Sequence, residues 1–115
     1  MELTVEPVSV SVEECVDDNN EVSANIKLQV GNVYETNLVV SIADLELLSK
    51  VRGSRWDRRE SIAIGECAGV RAFWCSDEEG FSVLIGHDDE TWDTSFWLPL
   101  STLDEIIRES ESLTS

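Results

Sequence analysis

Val22, Ala24, Ile26, Leu28 and Val30 alternate without a break with Ser23, Asn25, Lys27 and Gln29. Side chains of an extended strand point to opposite faces in turn, so this run has one face for a core and one for water. Wound as a helix, the same residues would scatter their apolar groups around the axis. Gly31-Asn32 comes next, a pair suited to a two-residue hairpin turn. Beyond it Tyr34, Leu38, Val40 and Ile42 share one face of a return strand. An isolated hairpin is marginal in water, so the rest of the chain must supply further strands and a layer over the apolar face.

Leu3 to Val12 reads as a strand whose alternation changes phase at Pro7, which implies a bulge or bend at an edge position. Cys15 to Asn20 reads as a loop. Across Ala43 to Val51 the period changes. Leu45, Leu47, Leu48 and Val51 suit a short helix, stopped at Gly53. Ser61 to Ile64, Val70 to Cys75 and Phe81 to Ile85 are three more strand candidates, with turns at Ala68-Gly69 and across Ser76 to Gly80. Phe73 and Trp74 point to opposite faces of the middle one, which marks a central strand covered on both sides. Phe96, Leu98 and Leu100 form the last strand. Ser101 then offers a helix cap, with Asp104 three residues on as in a capping box, and Leu103, Ile106 and Ile107 make one apolar stripe. Glu109 to Ser115 trails off.

The order is βββ-α-ββββ-α. Runs of strands joined by short turns pair antiparallel, and helices set apart from them give an α+β fold. The expectation is a mainly antiparallel sheet of about six to seven strands with two short helices, the second C-terminal. With 115 residues, no internal repeat and no linker composition, residues 1–115 read as a single acidic domain.

No apolar segment approaches the roughly 18 residues of a membrane span, and no basic-then-apolar leader is visible at the amino terminus. Cys15, Cys67 and Cys75 are odd in number and form no CxxC pair, so neither a disulfide framework nor a zinc site is indicated. These features point to a cytoplasmic protein without a cofactor.

Charge narrows the function. Twenty-four acids against eight bases give −16, unevenly spread. Residues 1–49 hold ten acids and one base, and residues 60–115 thirteen acids and two bases. Between them, 50–59 (KVRGSRWDRR) holds five bases and one acid. So negative a molecule opposes direct binding to nucleic acid or an anionic membrane and favours encounter with a basic protein. The basic segment reads first as neutralising the chain's own acids, and second as a contact between copies of the chain.

The stretch GHDDETWDTSFW, 86–97, sets four carboxylates around a tryptophan. It lacks the acid spacing and closing glutamate of a calcium loop, and His87 has no partner Ser or Cys in a nucleophile motif. Metal binding and carboxylate-based hydrolysis are therefore the weaker readings. Trp92 reads as an anchor that buries area at low entropic cost, and Asp88, Asp89, Glu90 and Asp93 as charges that steer a cationic partner. Asp77, Glu78 and Glu79 read as secondary contacts. Trp74 and Trp97 read as core residues, Trp97 the more exposed. The expected function is a non-enzymatic binding protein that neutralises a basic protein partner, most concretely a bacterial toxin immunity protein or antitoxin against a nuclease. The competing readings are a carboxylate-loop metal-binding protein or small hydrolase, and an accessory domain that only oligomerises.

Overall fold

A computed structural model describes residues 8–16, 19–30 and 34–114. Seven strands form one antiparallel sheet in chain order: β1 Val8–Val16, β2 Val22–Val30, β3 Tyr34–Ser41, β4 Ile62–Cys67, β5 Val70–Ser76, β6 Gly80–Gly86 and β7 Trp92–Pro99. A 3-10 helix, Ala43–Gly53, and a one-turn piece, Trp56–Arg58, lie between β3 and β4. The C-terminal helix α1 spans Leu100–Thr114. The fold is α+β, as the order of the sequence signals implies. The turn at Gly31-Asn32, the phase change at Pro7 and Asp17-Asp18 lie outside the described residues.

One face of the sheet carries the core. Ala24, Ile26 and Leu28 of β2, Leu38 and Val40 of β3, Ile64 of β4, Trp74 of β5, Phe81 and Val83 of β6 and Leu98 of β7 are all buried in one cluster. Alternation explains the set, because each strand contributes every second residue. Trp74 is fully buried, stacks on Phe81 at 5.7 Å between ring centroids, and donates its indole N–H to the Ile64 carbonyl at 2.9 Å. That bond removes the cost of a buried unpaired donor.

The two longer helices cover this face. Leu45, Leu48 and Val51 of the 3-10 segment are buried, and Ile42 just before it is partly buried. These residues recur every third position. Three residues per turn, rather than 3.6, place all of them on one line, which fits the 3-10 winding where an α-helix was expected. Leu103 and Ile106 of α1 are fully buried against β1, β6 and β7. The helix runs on to Thr114, past the point where polar residues suggest fraying, because Ser110 and Leu113 still reach the core side.

Two local expectations change. Cys15 and Val16 belong to β1, not to a loop, because they pair with Ser23 and Val22. Leu100 opens α1 and does not end the last strand, which stops at Pro99, and Ser101 and Asp104 both lie inside the helix. Asp104 is engaged by Arg52, whose Nη2 donates to both carboxylate oxygens at 2.7 and 2.8 Å. That pair ties the 3-10 segment to α1. No helix among the described residues is long and apolar enough to cross a membrane.

Candidate functional site

The other sheet face has two halves. Over β1 to β3 it is polar, with Ser11, Asn25, Lys27, Glu35 and Asn37 projecting from paired positions. Over β5 to β7 the register sets Phe73 opposite Leu84 and Cys75 opposite Ser82, which in turn faces Trp97. Trp97 is 49% exposed and Trp92 41% exposed, although both begin or occupy a strand.

A bulge brings the two indoles to one face. Ile85 pairs with Thr94, yet Gly86 pairs with Trp92, so Asp93 is the extra residue on β7. Were β7 to alternate regularly through Asp93, Trp92 would fall on the helix-covered face, two positions from Thr94. Because Asp93 bulges out of the pairing, the phase reverses there and Trp92 shares a face with Trp97. Glycines at both ends of β6 make room. A Cβ on Gly80 would run into the Trp97 ring and the Leu98 carbonyl, and one on Gly86 would run into the Trp92 backbone.

Two acidic turns flank these residues, and they share a construction. In the β5–β6 turn, Asp77 Oδ1 accepts from the amides of Glu79 and Gly80, both at 2.8 Å. In the β6–β7 loop, Asp88 Oδ1 accepts from the amides of Glu90 and Thr91 at 2.8 and 2.7 Å, and from the Thr91 hydroxyl at 2.8 Å. Each aspartate satisfies the turn it opens and leaves its followers, Glu78 and Glu79 or Glu90, exposed. The Thr91 hydroxyl, with the Glu90 and Thr91 amides, holds the Asp88 carboxyl below the usual carboxylate range. At Asp77, burial pushes upward. It is outweighed by bonds from the Glu79 amide, the Trp97 indole and the Gly80 amide, with help from Arg55, so this carboxyl also sits low.

In a simple meander, successive turns emerge at opposite ends of the sheet. Here the second loop doubles back. The Ser61 hydroxyl, just before β4, donates to Asp89 Oδ2 at 2.7 Å. Burial first, then the charges of Asp77 and Asp89 together, push the Cys75 thiol up to about 11. Both turns are therefore felt at one point on the sheet.

The segment from Arg55 to Arg59 lies between them. Ser54 and Arg55 run alongside the end of β5, where the Ser76 amide donates to the Ser54 carbonyl at 2.8 Å. On one side of the segment, Arg55 and Asp57 line a cleft with Asp77, Glu78, Glu79 and Trp97. On the other, Trp56 and Arg59 line a cleft with Asp89, Glu90 and Trp92. The Arg59 guanidinium lies 5.2 Å from the centre of the Trp56 ring.

The eight residues singled out from sequence thus fall into distinct roles. Trp92, Asp89 and Glu90 meet in one cleft, and Asp77, Glu78 and Glu79 in the other. Asp93 is the bulge, and Asp88 shapes its loop while facing a recess shared with Gly69, Val70 and Arg71. Among the described residues none of the seven acids enters an ion pair; the pairs are Lys27–Glu35, Arg52–Asp104 and Arg55–Asp57. Self-neutralisation by the basic segment therefore holds for Arg52 and Arg55. Sequence reasoning missed Trp56 and Trp97 as members of this face. An aromatic within a basic stretch was the available signal for the first.

No group of three His, Cys, Asp or Glu side chains converges as metal ligands among the described residues. No protein-family model matches the chain, nor does any curated protein or solved structure.

Proposed function

We propose that the chain is a non-enzymatic, cytoplasmic binding protein that neutralises a basic protein partner, docking it on the face built from β5, β6 and β7. One observation carries this reading. Three tryptophans, Trp56, Trp92 and Trp97, border two neighbouring clefts whose acids, Asp57 apart, enter no ion pair among the described residues. A partly exposed indole supplies area that becomes buried only on association, and Trp is enriched among residues that dominate binding energy. Unpaired carboxylates around it favour a cationic surface and repel an anionic one. The overall charge of −16 adds long-range attraction.

The concrete form of the proposal is an immunity protein or antitoxin that covers the phosphate-binding surface of a nuclease toxin. Such a surface must be basic to hold its substrate, and an acidic protein competes for it. Co-expression tests this directly. The chain should rescue cells producing the toxin encoded beside its own gene, and purified chain should inhibit that toxin at equimolar ratio. Unimpaired toxicity in the presence of soluble chain would refute it.

A further inference from the structure

We infer that the cleft between Trp56 and Trp92 receives an arginine side chain of the partner, and that Arg59 holds its place in the free protein. This rests on the reading of the face as a docking surface for a basic protein, and names the chemical group one subsite takes.

The Arg59 guanidinium lies over the Trp56 ring, 5.2 Å from its centre. Yet in a chain with 24 acids it enters no ion pair among the described residues. The aromatic half of a guanidinium site is filled, while its charge half is unused. The carboxylates for that second half line the same cleft. Glu90 is exposed and enters no ion pair among the described residues, and Asp89 accepts a hydrogen bond from the Ser61 hydroxyl at Oδ2. Trp92 is a second aromatic lining the same cleft.

A planar cation that stacks on an indole and offers a fork of donors to carboxylates satisfies both halves together. Arginine does this; lysine, a compact and strongly hydrated ammonium, meets the charge but stacks less well. Arg59 sits on the short turn that carries Trp56, and its backbone lies in the left-handed region at φ 59°. In that position it covers the ring face without reaching across to Asp89 or Glu90. An incoming arginine displaces it and gains the contacts that Arg59 lacks.

Octa-arginine and octa-lysine peptides carry equal charge and separate the two contributions. Binding is followed by tryptophan fluorescence and calorimetry at low salt. The wild type should bind octa-arginine more tightly than octa-lysine. Arg59→Gln should widen that preference at least threefold. Arg58→Gln, the same charge change outside the cleft, should strengthen both peptides alike and leave their ratio unchanged. Trp56→Leu, with its fold checked by circular dichroism, should abolish the preference while octa-lysine still binds. If both peptides bind but the ratio is the same in wild type, Arg59→Gln and Trp56→Leu, the arginine subsite is wrong and the acidic docking face stands. If neither peptide binds the wild type, both readings fall.

Discussion

The indole Nε1 of Trp97 donates to Asp77 Oδ2 at 2.8 Å, joining the last strand of the sheet to the turn between β5 and β6. One aspartate thus closes its own turn through Oδ1 and fixes an exposed tryptophan through Oδ2. Because these bonds favour the ionised form, the folded carboxyl is more acidic than the unfolded one near pKa 3.9. The sign follows: the contribution is fully present above about pH 4 and is lost as pH falls through the lower folded value. Trp97→Phe keeps the ring and removes the donor. It should cost about 0.5–1 kcal/mol at neutral pH, less than is usual for a bond to a charged group because solvent screens the exposed carboxylate. It should also flatten the loss of stability on acidification, read from urea midpoints between about pH 5 and about pH 2.

Trp74 and Trp92 predict opposite outcomes for the same substitution. Trp74 is fully buried and bonded to Ile64, so Trp74→Ala should destabilise the fold by about 3–5 kcal/mol in urea denaturation. Trp92 is 41% exposed. Trp92→Ala should leave the urea midpoint nearly unchanged and weaken the cognate complex by about 2 kcal/mol or more. Unchanged affinity in the complex would remove Trp92 as the anchor.

Much of the fold is written in side-chain periodicity. The run from Val22 to Val30 forms β2 over the span its alternation marks. Trp74 lands in the core and Phe73 on the opposite face, as adjacent strand residues must. What the pattern does not carry is anything set by contacts between distant segments. The spacing of Leu45, Leu48 and Val51 is compatible with either helical winding. Asp104 is placed to cap α1 by local rules, yet Arg52 lies 52 residues away and engages it. At the candidate site, the acids and Trp92 are conspicuous in sequence. Their meeting with Trp56 depends on the bulge at Asp93 and on the bond from Ser61 to Asp89, and neither leaves a local trace.

Gly80 is a test of how Trp97 is seated. A methyl group there meets the Trp97 ring and the Leu98 carbonyl, and the backbone oxygen has little room to yield. Gly80→Ala should therefore destabilise by about 1–3 kcal/mol and change the near-ultraviolet circular dichroism of the tryptophans. An unaltered spectrum with full stability would mean that β6 and β7 are less tightly apposed than described.

Cys75 reports on the convergence of the two acidic turns. Burial and the charges of Asp77 and Asp89 raise its thiol to about 11, so the reactive thiolate is scarce at pH 8. Iodoacetamide should modify the partly exposed Cys15 and Cys67 first and leave Cys75 intact until denaturant is added. The linkage has its own sign. An unfolded thiol ionises near pKa 8.5, so the contribution of the protonated folded thiol should fall as pH rises from there toward 11. Asp89→Asn should make Cys75 faster to alkylate in the native state.

The charge distribution predicts how a complex forms as well as how tightly. Attraction between the acidic face and a basic partner acts before contact, over distances that salt shortens to about 8 Å at physiological ionic strength. Raising salt should slow association more than it speeds dissociation, because Trp56, Trp92 and Trp97 supply contacts that screening does not reach. Stopped-flow fluorescence of these tryptophans separates the two rates. Glu78→Gln, Glu79→Gln and Glu90→Gln combined should lower the association rate and flatten its salt dependence, with a smaller change in dissociation. An association rate indifferent to salt in the wild type would mean that the unpaired carboxylates do not guide the partner, leaving only the aromatic surface to account for recognition.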